Sequence, residues 1–214
     1  MLAVSPAPEA VGTQTVFVVE DDLDTREAIT DLLSPSGVKV RSFGSAEEFL
    51  GRYSSNGPAC LLLDERLPGM PGSELLRRLH ADGIDLPTIV VTAYATTSYT
   101  VSAMRHGATA VLDKPCTEAI LREAVSDALR EDEKRRQREQ AVVEAKQKLA
   151  ELSDSERQVL QMVLDGTPNK QIARRLEVCV RTVEARRSRI YQTTGVNSVA
   201  ELVRLCVAAG FIDA

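Results

Sequence analysis

Cys60-Leu61-Leu62-Leu63-Asp64-Glu65-Arg66-Leu67-Pro68-Gly69 is the stretch whose reading decides the fold. A short apolar run ends in a carboxylate and passes straight into a Pro/Gly loop. That pattern predicts a buried strand delivering Asp64 to the rim of a sheet. Three other runs end alike: Val16-Phe17-Val18-Val19 in Glu20-Asp21, Thr88-Ile89-Val90-Val91 in Thr92, and Ala110-Val111-Leu112-Asp113 in Lys114-Pro115. In a parallel α/β sheet the carboxyl ends of the strands line one crevice, so these side chains converge there. Carboxylates, a hydroxyl and an ammonium gathered in this way suit a divalent cation and a phosphoryl group.

Around these runs, strand and helix patterns alternate, which predicts a doubly wound parallel sheet. Strands are expected at 16–20, 38–43, 59–63, 88–92 and 109–113. Ser45-x-x-Glu48 reads as a capping box opening a helix over 46–53. Gly72-Ser73-Glu74 opens another, with Leu75, Leu76 and Leu79 on one face, stopping near Gly83. Val101 and Met104 share one side of a helix that ends at Gly107. Five strands fit the flavodoxin-like order, with the crevice beside the first strand.

The chain has 214 residues, room for one large domain or two small ones. A hydrophobic fraction of 43% supplies real cores, and no apolar run approaches a membrane span. Met1–Thr15 lacks a basic start and apolar stretch, making it a poor signal peptide; residues 1–14 read as a flexible tail. Cys60, Cys116, Cys179 and Cys206 are scattered, and His80 and His106 stand alone, so structural or surface roles are expected for all six. A reducing, cytoplasmic location follows. Residues 151–214 carry a net charge of +1 against −6 for 1–150. Within 170–189, seven basic residues face only Glu177 and Glu184, and this local excess points to a nucleic-acid partner.

Glu20-Asp21, Asp64, Thr92 and Lys114-Pro115, in this order at strand ends, resemble the receiver domain of two-component response regulators. The resemblance implies that Asp64 accepts a phosphoryl group from a sensor histidine kinase. It implies a Mg²⁺ site made by Asp21, Glu20, Asp64 and the backbone carbonyl of Arg66. Thr92 becomes the switch hydroxyl and Lys114 the phosphate-pairing cation. Asp22 and Asp24 read as surface or helix-cap residues. Two departures stand out. An aromatic often found three positions before the lysine is Val111 here, so coupling is expected through Thr92 and its loop. Arg66 and Tyr94 are bulky and stand two positions after Asp64 and Thr92, where they could screen the acyl phosphate from water.

From Glu118 to Leu152 no Gly or Pro interrupts. A heptad phase passes through Leu121, Ala124, Ala128, Val142, Ala145, Leu149 and Leu152, but Glu131, Arg135 and Arg138 break it. A solvated helical linker over 131–150 is expected, between a first domain at 15–130 and a second at 151–214. In the second, Ser153 to Glu156 is a capping box, Thr167-Pro168 an N-cap and first-turn pair, and a short turn at Glu177-Val178-Cys179 leads to a basic helix over Arg181–Thr193. Ser198–Ala209 forms a fourth helix.

Leu152-Ser153-Asp154-Ser155-Glu156-Arg157, Pro168-Asn169-Lys170-Gln171-Ile172-Ala173 and Arg181-Thr182-Val183-Glu184-Ala185-Arg186 resemble the LuxR-type helix-turn-helix. With the receiver pattern, the chain resembles the NarL/FixJ family of response regulators. That implies an α/β receiver plus an all-α domain of four helices, binding double-stranded DNA. Glu184, Ala185 and Ser188 would face base edges. Lys170, Arg181, Arg186, Arg187 and Arg189, with Thr182, would be the further DNA contacts, the basic ones on phosphates. The fourth helix, with Leu202, Val203 and Leu205, resembles a dimerisation helix, and a homodimer is expected on phosphorylation. Cys179-Val180 stands where a capping Ser or Thr is usual, so the recognition helix starts poorly capped. No enzyme is expected. Phosphatases that use a strand-end aspartate with Mg²⁺ need a second acid two residues on, and Arg66 stands there.

Overall fold

The computed structural model describes residues 13–212; the tail expected over 1–14 otherwise lies outside them. Two compact units divide at Arg136/Gln137. In the first, β1 (Thr15–Val19), β2 (Lys39–Phe43), β3 (Ala59–Asp64), β4 (Thr88–Thr92) and β5 (Ala108–Asp113) form a parallel sheet in the order β2-β1-β3-β4-β5. Between them lie α1 (Leu23–Leu33), α2 (Ala46–Arg52), α3 (Gly72–Ala81) and α4 (Thr97–Arg105), and α5 (Glu118–Ala150) follows. The flavodoxin-like expectation holds, with strand limits moved by at most one residue.

Strand alternation divides the core into two layers. Phe17, Val19, Leu61 and Leu63 face α2, α3 and α4, where Phe49, Leu75, Leu76 and Ala103 are buried with them. Val16, Val18, Leu62 and Ile89 face the other way, onto Leu33 of α1 and Leu121, Val125, Ala128 and Leu129 of α5. Every residue of β3 is buried, as expected of a central strand covered on both faces. Gly72 permits the close approach of α3 to the end of β3, because a Cβ there would meet the Asp64 carbonyl oxygen at 2.3 Å. Ser45 caps α2 through the Glu48 N–H, but Glu48 returns to the N–H of Gly44, so the expected box is shifted by one residue.

The helix α5 contributes to both units. Asp132 is fully buried in the first, where its carboxylate accepts from the Ala59 N–H at 2.8 Å and pairs with Arg135 and Arg136. Those bonds satisfy a charge that would otherwise be costly to bury. In the second unit Ala145 and Leu149 are buried beside Val159, Leu160, Ile172, Val183, Ile190, Leu202 and Cys206. The heptad's last residues therefore lie in a domain core.

The second unit adds α6 (Asp154–Leu164), α7 (Asn169–Arg175), α8 (Val180–Thr194) and α9 (Val199–Ala208). Ser153 and Glu156 complete a capping box on α6. Pro168, not Thr167, is the N-cap of α7. Its backbone is extended, and its carbonyl accepts the N–H groups of Gln171 and Ile172. The turn between α7 and α8 places Glu177 at φ 54, and Cys179 begins α8 with its Sγ 3.1 Å from the Thr182 hydroxyl rather than capping a backbone N–H. Leu202 and Cys206 of α9 close the small core. All four cysteines are free, and burial pushes the Cys60 thiol up to about 12. Among the described residues, no helix is long and apolar enough to cross a membrane.

Candidate functional site

β1 and β3 are neighbours and β4 separates β3 from β5, yet the side chains at the ends of β1, β3 and β5 meet. Glu20, Asp21 and Asp64 offer carboxylate oxygens that all lie within 4.8 Å of one another. Glu20 and Asp64 are buried and Asp21 is exposed, so the cluster is open on one side. Lys114 Nζ donates to Asp64 Oδ1 at 2.7 Å and to Glu20 Oε2 at 2.9 Å. The Arg66 N–H donates to Asp64 Oδ2 at 2.8 Å. Thr92, buried at the end of β4, accepts the Lys114 N–H on its carbonyl at 2.8 Å. Its hydroxyl accepts from the Tyr94 N–H at 3.2 Å, which turns it into its own loop.

The electrostatics are unbalanced. Burial, and secondarily the charge of Asp64, raise the Glu20 carboxyl above its ordinary value despite the Lys114 hydrogen bond. Burial opposes the charge on Lys114, but its hydrogen bonds to Asp64 and Glu20 outweigh that and raise its pKa. The Lys114 ammonium thus pairs with two of the three carboxylates, and a hard cation with oxygen ligands suits the remaining charge.

The surrounding loops carry features that spacing did not reveal. Arg26 Nη1 donates to the backbone carbonyls of Glu20 at 2.5 Å and Asp21 at 3.3 Å, bracing the acidic loop. Asp22 caps α1 through Thr25, as a cap residue should. Glu65 accepts from the Ser73 N–H and hydroxyl, both at 2.9 Å, and from Tyr99 Oη at 2.6 Å. The Arg66 guanidinium lies 4.1 Å from the centre of the Tyr94 ring, a cation–π pair beside the site. A charged residue directly after Asp64 was a signal for Glu65; nothing local pointed to Tyr99.

In the second unit, α8 buries Val183 and Ile190 and exposes Arg181, Glu184, Ala185, Ser188 and Arg189. Positions 181, 185 and 188 share a face at helical spacing. Lys170 is exposed, while Thr182, Arg186 and Arg187 are half-buried. Arg187 Nη1 donates to Asn169 Oδ1 at 2.6 Å and Nη2 to Tyr191 Oη at 3.3 Å, so this guanidinium braces α7 against α8. Arg189 and Arg186 also contribute to lowering the Glu156 carboxyl, after its hydrogen bonds to Ser153.

Comparison with known proteins carries the likeness across both units. A response regulator receiver domain profile matches residues 16–126, and one for bacterial regulatory proteins of the luxR family matches residues 150–206. Nodulation protein W of Bradyrhizobium diazoefficiens is 36% identical over 202 residues, 94% of this chain and 89% of its own length. Transcriptional regulatory protein FixJ of the same organism is 32% identical over 198 residues, 92% of this chain and 97% of its own. The solved structure of the response regulator StyR aligns at a TM-score of 0.83 and 38% identity, covering 90% of this chain and 98% of StyR. Because the likeness runs through both units and nearly the whole length of these relatives, the chain belongs to the NarL/FixJ family of two-component response regulators, transcription regulators with a receiver domain and a LuxR-type DNA-binding domain.

Proposed function

We propose that Asp64 accepts a phosphoryl group from a sensor histidine kinase and that this controls sequence-specific binding of the second domain to duplex DNA. One observation carries the reading: a buried aspartate at a central strand end is hydrogen bonded to Lys114 and lies within 4.8 Å of two further carboxylates. Oxygen donors in this number and charge fit Mg²⁺, which Glu20, Asp21, Asp64 and the backbone carbonyl of Arg66 would hold. When bound, the cation neutralises the cluster and takes up charge on phosphoryl oxygens.

An Asp64 carboxylate oxygen attacks phosphorus, the bond to the donor imidazole nitrogen breaks, and the imidazole leaves. This chemistry needs positioning and charge stabilisation more than covalent help. The Arg66 N–H orients Asp64, and Lys114 follows the new negative charge onto a phosphoryl oxygen. Thr92 then turns its hydroxyl toward another oxygen, giving up the Tyr94 N–H. The loop after Thr92 shifts with it, a local change with a wider readout. Arg66 and Tyr94, stacked on each other, limit the approach of water and lengthen the life of the acyl phosphate.

Arg181, Arg189 and Lys170 are exposed and supply phosphate contacts with the half-buried Arg186, Thr182 adds a further contact, and Glu184, Ala185 and Ser188 sit at base edges. The phosphorylated chain acts as a homodimer on paired half-sites, in the cytoplasm. A phosphatase built on a strand-end aspartate would carry its second acid at position 66, which is arginine here. The test is selection from a random duplex pool with and without acetyl phosphate, for wild type and Asp64→Ala. Phosphodonor-dependent enrichment of one motif by wild type alone supports the reading; equal enrichment in all four arms removes phosphorylation from it.

A further inference from the structure

Position 111, where a swinging aromatic is common, holds a valine half-buried against the sheet core. The coupling from Asp64 to α4 in this chain needs another carrier, and the structure offers one that starts at the residue after Asp64. Glu65 follows Asp64 directly. Its Oε1 accepts the Ser73 hydroxyl, and its Oε2 accepts both the Ser73 N–H and the Tyr99 hydroxyl, the last at 2.6 Å. Tyr99 lies in the first turn of α4, and its ring packs against the core beneath. We propose that Glu65 and Tyr99 form a latch. Glu65 is a positioning residue for the loop that carries Asp64 and Arg66, and its bond to Tyr99 holds α4 in the unphosphorylated arrangement. The inference rests on the phosphoacceptor reading of Asp64.

The latch is asymmetric, which gives it a direction. If the Tyr99 bond breaks, Glu65 keeps two donors from Ser73 and stays satisfied. The loop carrying Asp64 is also held from its other end, since Glu47 Oε1 accepts the Met70 N–H at 2.9 Å and the Gly72 N–H donates to the Glu65 carbonyl at 3.0 Å. The partner free to move is therefore α4. Thr92 lies only a few residues before the first turn of α4, through the loop that must follow its hydroxyl. A shift of about 1 Å takes a short hydrogen bond out of bonding range. Phosphorylation also adds charge beside Glu65. Tyr99 stays protonated and able to donate: burial, the Glu65 hydrogen bond and the charges of Glu65 and Asp64 all raise its pKa.

By linkage, whatever releases the latch favours the phosphorylated arrangement, and phosphorylation releases the latch. The test is hydrogen exchange across residues 93–105 of the full chain, with and without Mg²⁺ and acetyl phosphate. Intact mass scores the adduct on Asp64. Variants are Tyr99→Phe, which keeps the ring, Glu65→Gln, and the pair together. Wild type should exchange faster once phosphorylated. Unphosphorylated Tyr99→Phe should already exchange about tenfold faster, the scale of one hydrogen bond to a charged group. Phosphorylated Tyr99→Phe should match phosphorylated wild type, and Glu65→Gln should add nothing once Tyr99→Phe is present. Equal acceleration in both states, additive single effects, or no change in Tyr99→Phe would overturn the latch. Absence of an Asp64 adduct in wild type would instead strike the phosphoacceptor reading on which it rests.

Discussion

The strand-end crevice and the basic helix are both candidate sites, but they are built by opposite means. In the crevice each side chain is fixed by another: Lys114 by Asp64 and Glu20, Asp64 by the Arg66 N–H, the acidic loop by Arg26. Sheet topology forces these residues together, and burial makes their charges matter to one another. On α8 Glu184, Ala185 and Ser188, proposed for base edges, face solvent. Their meaning lies in a partner. Arg187 is the instructive exception: it shares the helix and the charge of its neighbours, yet is held by Asn169 and Tyr191. Composition cannot separate a brace from a contact, while a hydrogen-bond partner can.

The largest expected effect breaks the crevice. Asp21→Asn removes the exposed carboxylate proposed to hold the cation and should raise the half-saturating Mg²⁺ for phosphorylation by acetyl phosphate at least ~10–100-fold, the loss that even an outer-shell partner brings. Titration of Mg²⁺ against adduct yield checks this. On the helix the contrast is internal. Arg187→Ala should lower stability by about 1–2 kcal/mol by removing two hydrogen bonds. Arg181→Ala should leave stability unchanged while weakening DNA binding at all sequences and lowering the salt slope by about 1. Thermal unfolding and binding at several salt concentrations separate the two.

Smaller effects sharpen the comparison. Arg66→Ala or Tyr94→Ala should each shorten the acyl-phosphate half-life about 2–5-fold, the scale of one exposed cation–π pair. The double variant should do little more, since either change dissolves the pair. Glu20→Gln tests the electrostatics without a metal. Because its carboxyl is raised, the folded state holds the Glu20 proton more tightly than the unfolded chain. That contribution to stability is complete below the ordinary 4.5 and is lost as pH rises through the folded value. At neutral pH with chelator present, Glu20→Gln should therefore raise Tm. The gain should shrink near pH 4, where wild type is also protonated.

The sheet was readable because a short apolar run that stops at a charged residue and a Pro/Gly loop fits a buried strand and little else. β3 is apolar up to Asp64 and buried throughout. The convergence of Glu20, Asp21, Asp64 and Lys114 followed from topology alone. What escaped were bonds between distant residues. Tyr99 and Glu65 are 34 positions apart, and Asp132 and Ala59 are 73 apart. No periodicity records such a pair, because Glu65, Tyr99 and Asp132 each look like ordinary surface residues in the sequence. The continuous helix α5 was legible from the missing Gly and Pro. That its last turns enter a core was not, because Ala145 and Leu149 lie among charged neighbours. The boundary at Thr167-Pro168 moved for a plainer reason: proline can end an extended segment as well as begin a helix.

The most direct measurement is intact-protein mass after incubation with Mg²⁺ and acetyl phosphate, for wild type and Asp64→Ala. We expect a single phosphoryl adduct on wild type, absent from Asp64→Ala and absent without Mg²⁺. An adduct that persists in Asp64→Ala would contradict the assignment of Asp64. An unmodified wild type that also resists a phosphorylated histidine kinase would contradict phosphorylation control itself.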